Sequence, residues 1–404
     1  MTRRLRVCHV ITRLIVGGAQ EAALLACAHV DRRRFASTLA AGRQTGAEGD
    51  LRPRAVDLGV PTVVIPTLVR QVAPARDRRA AYALRRLFRE HAFDVVHTHS
   101  SKAGFLSRWA ARRERVPMIV HTVHGWSFHD HMPRLLRAAY VRLERRAALW
   151  CDHIVTVSES DRDKGLAAGI GSPEQYVTIR EVNDLAPYDA HAGERDEARR
   201  RLQLPVDSRV VGTVGRFTEQ KDPVTWIRAA ALLARQRADI SFVMVGDGPL
   251  RAETEKAAAS LGLADRLVTT GLRDDVPALL PALDVFLLTS RWEGAPLVIP
   301  QAMASGVPVV ASAVDGNREI VRDRANGLLV PADAPDAAAS AVGELLGDGA
   351  LHAQLAAAGR RTTHEFSLGE TIPRLEALYG CAGDSPQPTA RSRGPEAQHE
   401  RAGE

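Results

Sequence analysis

Residues 284–311 constrain the fold of this chain more tightly than any other stretch. The run Asp-Val-Phe-Leu-Leu at 284–288 has the length and the β-branched and aromatic character of a buried parallel strand, and Val-Pro-Val-Val-Ala at 307–311 reads as the next one. Between them the loop Arg291-Trp292-Glu293-Gly294 leads into a short helix. Pro296 suits its first turn, Pro300 is tolerable close to that turn because the amides there are unpaired, and Gly306 stops it. A strand that passes through a glycine-containing loop into a helix N-terminus aims free N–H groups over the strand ends, where anions are favoured. The stretch therefore predicts a phosphate site built from the backbone at Gly294, Ala295, Leu297 and Val298, flanked by the Glu293 carboxylate.

The same strand and helix signals alternate along most of the 404 residues, a length beyond what one hydrophobic core usually supports, so the class is α/β with two parallel-sheet domains. Cys8, Cys27, Cys151 and Cys381 have no metal or redox spacing and fit a reducing compartment. With neither a signal-peptide core nor an apolar run near eighteen residues, the expected location is cytoplasmic. Charge is uneven: residues 1–190 carry 30 Lys+Arg against 19 Asp+Glu, net +11, and the remainder carries 24 against 29, net −5, which gives the overall +6. The basic half is either a solvated face or a surface for an acidic partner, with anionic lipid or a phosphorylated acceptor as the candidates. No recognition-helix or zinc-finger pattern points to nucleic acid.

Along the chain, residues 6–11 read as the first strand, Gly17-Gly18 as its turn, and 20–30 as a helix. Two glycines there permit positive φ and close approach of backbone to a phosphate or sugar. Strands follow at 37–41 and 62–65, then an Arg-rich helix at 78–90 whose Ala81, Leu84, Leu87 and Phe88 form one stripe. The strand at 93–99 ends in His97 and His99, two residues apart and so on one side of it. Together with His121, His124, His129 and His131 they suggest a metal site, but no carboxylate or cysteine nearby completes a ligand set, and none is assigned. His124 follows the strand at 118–122, at the C-terminal end where open α/β sheets bind ligands; it is either a site residue or a histidine bonded into its own loop. The amphipathic segment 133–150 either covers the sheet, the preferred reading, or lies on an anionic membrane. After a strand at 153–157 and a well-capped helix start at Ser158, the row at 178–184 reads as a strand and a loop. Arg216 and Lys221 then stand five apart on the loop that ends the strand 209–215, where both can reach one diphosphate, Arg as a planar fork and Lys as a point charge.

Over roughly residues 5–380 these motifs resemble the bacterial family 4 retaining glycosyltransferases of the GT-B fold, two Rossmann-like domains facing a deep cleft. The resemblance rests on EGAPLVIPQAMASGVPVV at 293–310, on Gly-Arg216-x4-Lys221-Asp and on Gly-Gly-Ala-Gln at 17–20. It implies an acceptor-side domain over 1–190, a nucleotide-sugar domain over 191–365 and a helix at 366–382 returning to the first domain; from 383 on, Ser, Pro, Gln, Arg and Gly dominate, and a disordered tail is expected. It also implies that Arg216 and Lys221 stabilise the leaving diphosphate, that Glu293 holds the donor sugar, and that His124 contacts it near the anomeric centre. Gly17 and Gly18 would help form the acceptor side. The reaction implied is front-face sugar transfer with retention from a nucleotide-diphosphate sugar to a lipid-linked, glycan or small-molecule acceptor. It needs no metal or other cofactor, and a peripheral station on the inner membrane face is compatible with it. Two positions depart from the family pattern. Gln301 stands where a second glutamate would meet the ribose, and Val182 where a glycine is expected. A β-branched residue forced to positive φ at 182 would cost about 1 kcal/mol or more. The rival readings are a degenerate binding subunit and a GT-B epimerase or hydrolase.

Overall fold

The computed structural model describes residues 3–129 and 132–384. Seven strands form the first sheet: β1 Leu5–Arg13, β2 Phe35–Gly42, β3 Thr62–Val64, β4 Val95–His99, β5 Met118–Val123, β6 His153–Thr156 and β7 Tyr176–Thr178. Six form the second: β8 Arg209–Val214, β9 Ile240–Val245, β10 Leu267–Gly271, β11 Val285–Leu288, β12 Val309–Ser312 and β13 Leu328–Val330. The orders are β3-β2-β1-β4-β5-β6-β7 and β10-β9-β8-β11-β12-β13, with every pairing parallel. Each sheet therefore reverses its order beside its first strand, β1 or β8, which opens a crevice at the strand C-termini.

The apolar runs became the central strands because helices cover both faces. All four residues of β11 are buried, and burying each such side chain contributes roughly 1.5–3 kcal/mol. The stripe on the Arg-rich helix, which spans Pro74–His91, is buried as expected. Gly306, at φ 77°, terminates the helix Val298–Ala304 in the left-handed region open to glycine. The helix Leu368–Asp384 returns to the first sheet, where Ile372, Leu375, Leu378 and Tyr379 join Val7, Val95, Val120 and Val155 in one core. This helix includes Gly383 and Asp384; the rest of the tail expected to be disordered lies outside the described residues, as does His131.

Three readings change. Of the strand and loop read at 178–184, the strand reaches only Thr178, having begun at Tyr176, and the chain from there crosses to the second sheet. Val182 does not adopt positive φ; it is buried against the returning helix, so the anticipated strain does not arise. The helix Arg134–Ala148 covers the sheet only through its second half, where Glu144 is buried against Arg108 at 2.7 Å. Residues 134–139 are exposed, with Leu135 at 88% and Leu136 at 48%.

One titration is built into this frame. Asp161, in the first turn of the helix Glu159–Ala167, is buried, and lost hydration pushes its carboxyl up to about 6. Its unfolded pKa is about 3.9. A raised carboxyl supports the fold while protonated, so its contribution is full below about pH 4 and is lost as pH rises through 6. Asp161→Asn, which keeps an acceptor for the Ser158 hydroxyl now 3.0 Å away, is expected to stabilise the protein at pH 8 by up to about 3 kcal/mol. Urea unfolding at pH 8 and pH 4 checks this: the gain must shrink at pH 4, and an equal difference at both values refutes it.

Candidate active site

A cavity of about 340 Å³ lies between loops leaving β1, β5 and β7 on one side and β8, β9, β10 and β11 on the other. The structure brings the residues expected to bind substrate to its wall: Gly17, Gly18 and His124 from the first sheet; Arg216, Lys221, Glu293, Gly294, Ala295, Leu297, Val298 and Gln301 from the second.

Glu293 is the most tightly held group. Lys221 Nζ lies 2.5 Å and Ser290 Oγ 2.6 Å from Oε1, and Gln220 Nε2 donates to Oε2 at 3.2 Å. The ion pair fixes the lysine at the mouth of β8 and leaves the carboxylate capacity for a hydroxyl-bearing ligand. Asp222 caps the next helix by accepting from the Thr225 amide at 3.1 Å, which fixes the far end of the Arg216–Lys221 loop. Arg216 has no side-chain hydrogen bond or ion pair among the described residues. Partial dehydration by the cleft walls lowers its pKa first, with Glu48 acting in the opposite sense. An anion entering the cleft would supply the partner it lacks.

Backbone defines the floor. The amides of Leu297 and Val298, at the start of the short helix, donate to no protein acceptor among the described residues. Gly294 sits against the His124–Gly125 peptide from the opposite sheet: a Cβ on it would lie 2.7 Å from His124 O and 2.8 Å from Gly125 N. Gly316 closes behind, where a Cβ would come within 1.7 Å of Gly294 O. Neither Gly17 nor Gly18 uses positive φ; Gly18 instead faces Leu297 across the cleft.

The His124 ring is bound on both sides, with Nε2 2.9 Å from His99 Nδ1 and Nδ1 2.7 Å from Glu181 Oε1. What it offers the cavity is therefore its backbone and ring face rather than a free N–H. Gln301 donates to Asn183 Oδ1 at 3.2 Å, and Asn183 Nδ2 donates to Leu297 O at 3.0 Å. The two positions that depart from the family pattern thus meet through Asn183, the neighbour of Val182. Gln301 Oε1 has no protein partner among the described residues and remains an acceptor.

Sequence reasoning found no second carboxylate, but Glu21 and Glu181 also line the cavity. Both are engaged, Glu21 by Arg54 at 2.8 Å and Glu181 by His124. Gln220, Ser290 and Asn183 were missed as well; the first two flank Lys221 and Glu293 closely enough in sequence to have been suspected.

The nitrogens of His9, His97 and His99 lie within 4.8 Å of one another, close enough to suggest a metal ion. Every one already has a hydrogen-bond partner. A metal ion there would have to displace these bonds, because each ring nitrogen is already committed to one of them.

Comparison with known proteins adds independent findings. Residues 194–362 match the glycosyl transferases group 1 family and residues 16–179 match glycosyltransferase family 4. The chain is 28% identical over 379 residues to the UDP-Gal:alpha-D-GlcNAc-diphosphoundecaprenol alpha-1,3-galactosyltransferase of Escherichia coli, covering 93% of this chain and 97% of that protein. It is 35% identical over 311 residues to a D-inositol 3-phosphate glycosyltransferase of Salinispora arenicola, covering 72% and 69%. Among solved structures, HepE of Anabaena in complex with UDP-glucose superposes with a TM-score of 0.82 at 20% identity, covering 94% of this chain and all of that one.

Proposed function

Because this chain belongs to the family 4 glycosyltransferases of the GT-B fold, we propose that it moves a hexosyl group from a uridine-diphosphate sugar to a lipid-linked diphosphate sugar, with retention at the anomeric carbon. The observation that carries the proposal is the convergence in one cleft of Arg216, Lys221, the amides at Leu297 and Val298, and Glu293. As the bond between anomeric carbon and phosphate oxygen breaks, negative charge grows on the diphosphate, and fixed donors aimed there lower the barrier. Arg216 and Lys221 supply that charge from the chain itself, and no metal is assigned. Glu293 accepts from sugar hydroxyls, and Gln301 Oε1 accepts from the ribose. Glu181 and Glu21 are each held by a cationic or N–H partner, so neither is assigned as a nucleophile. The acceptor hydroxyl attacks from the face the diphosphate leaves, and its proton passes to the departing phosphate oxygen. The base and the acceptor are those named for the Anabaena and Escherichia coli proteins.

A lipid-linked acceptor also gives the exposed half of the helix Arg134–Ala148 a role. Leu135 and Leu136 beside Arg134 and Arg137 suit the surface of an anionic bilayer, and no helix among the described residues is long and apolar enough to cross one. On this reading the protein works at the inner face of a membrane. One experiment tests these parts together. The protein is incubated with UDP-hexoses and a polyisoprenyl-diphosphate-linked sugar in neutral or anionic vesicles, with and without EDTA, and the product linkage is read by proton NMR. An α-linked product, formed faster on anionic vesicles and insensitive to EDTA, is expected. Donor consumption without product would instead indicate a hydrolase, and binding without turnover a binding subunit.

A further inference from the structure

Behind the cleft wall the buried polar residues of the first sheet form one continuous chain. Thr122 Oγ1 lies 2.6 Å from His97 Nε2, and His97 Nδ1 lies 2.5 Å from the Tyr379 hydroxyl. That hydroxyl is 3.2 Å from His9 Nε2, and His9 Nδ1 is 3.0 Å from His99 Nε2. His99 Nδ1 then meets His124 Nε2, and His124 Nδ1 meets Glu181. His9, His97, His99 and Tyr379 are almost fully buried. Three strands supply the residues in register: His9 of β1 pairs with His97 of β4, and His99 of β4 with Thr122 of β5.

Hydrogen-bond chemistry assigns every proton in this chain. Glu181 as a carboxylate only accepts, so His124 carries its proton on Nδ1. A neutral imidazole has one N–H, hence His124 Nε2 accepts and His99 donates from Nδ1. The same step repeats through His9, whose Nε2 must accept from the Tyr379 hydroxyl. Tyr379 then accepts from His97 Nδ1–H, and His97 Nε2 accepts from Thr122. Burial favours the neutral imidazoles that this requires, lowering His9 to about 3 and His97 and His99 well below the ordinary histidine value.

We infer that Tyr379, His9 and His99 are positioning residues that keep an N–H directed at His124 Nε2, while Glu181 sets the tautomer of that ring, so that the seating of the C-terminal helix sets the cleft wall at His124. The consequence is local. With Nε2 filled by His99 and Nδ1 tied to Glu181, the ring cannot turn, and the His124–Gly125 peptide is held against Gly294. Tyr379 is the one member contributed by the C-terminal helix, and it serves two histidines at once.

The test uses the full chain labelled with nitrogen-15 at histidine, because imidazole nitrogen shifts distinguish the two tautomers. At neutral pH, His9, His97, His99 and His124 are all expected as Nδ1–H. Tyr379→Phe keeps the ring contact with Phe35 at 5.9 Å but leaves two buried histidine nitrogens without a partner, so circular dichroism is recorded beside the spectra to establish that the variant is folded. It is expected to admit the second tautomer at His9 and His99, which takes the donor away from His124 Nε2 and shifts that signal, and to lower kcat about tenfold with donor KM within about twofold, the signature of a misplaced wall group rather than a lost binding contact. An Nε2–H tautomer at His9, His99 or His124 in the unmodified protein overturns the assignment, as do unchanged His124 signals in Tyr379→Phe. The kinetic arm rests on the transferase reading and the spectroscopic arm does not, so failure of one is distinguishable from failure of the other.

Discussion

Arg216→Ala combined with Lys221→Ala is expected to reduce turnover by at least about a thousandfold, since removing even one donor to a developing oxyanion costs roughly 10²–10³ in rate. The reasoning is differential. Neither cation reaches the sugar carbon in this proposal; both face the leaving diphosphate, where charge grows only as the bond breaks. The fold should survive with a moderate loss of stability. Arg216 has no side-chain partner to lose among the described residues, whereas the buried Glu293 keeps Ser290 and Gln220 but loses its cation when Lys221 is removed. Unfolding free energy should therefore fall by no more than about 3–5 kcal/mol. Turnover by chromatography and unfolding in urea give the two readings. Turnover within about threefold of the parent would remove both residues from the proposed mechanism.

Gly294→Ala is expected to be nearly as damaging without touching a functional side chain. The methyl group would meet His124 O, Gly125 N and Gly125 Cα at 2.7, 2.8 and 2.9 Å, all backbone, so no rotamer change relieves the contact. Gly316 prevents the loop from retreating. The two sheets can accommodate the methyl only by parting, and misplacing reacting groups by about 1 Å costs about a hundredfold. Gly347→Ala, where an added Cβ has no neighbour within 4 Å and the backbone has no positive φ, is the matched control and should be silent. Equal turnover in the two variants would show that the loops are not in contact in solution.

The fold was legible where burial is two-sided. The strands β4, β5, β8, β9 and β11 stand out as short apolar runs because parallel strands between helix layers cannot alternate. Boundaries slipped where a local residue overrode the run: β12 begins at Val309, after Pro308, which has no N–H for the ladder. The placement of Arg216, Lys221 and Glu293 in one cleft was legible for a related reason. Arg216, Lys221, Glu293 and Gly294 lie on strand-to-helix loops, and in this topology those loops point into the crevice. Glu181, Asn183 and Tyr379 were not legible. Their partners are 57, 118 and 282 residues away in sequence, and no local pattern encodes such a meeting. His97 and His99 were placed on one face correctly, yet their role depends on a tyrosine from the far end of the chain. Val182, which looked like a defect, became a core contact once that same helix was in place.

The helix Leu368–Asp384 also imposes an order on assembly. Domains made early on the ribosome generally fold before later ones emerge. Here one face of the first sheet is finished by Ile372, Leu375, Leu378 and Tyr379, and the His9–Tyr379 contact spans 370 positions. During synthesis the N-terminal half must wait, its apolar face uncovered, while the whole second sheet is translated. The histidine chain behind the cleft then closes late, so the protein acquires its complete cleft wall only when the helix Leu368–Asp384 docks.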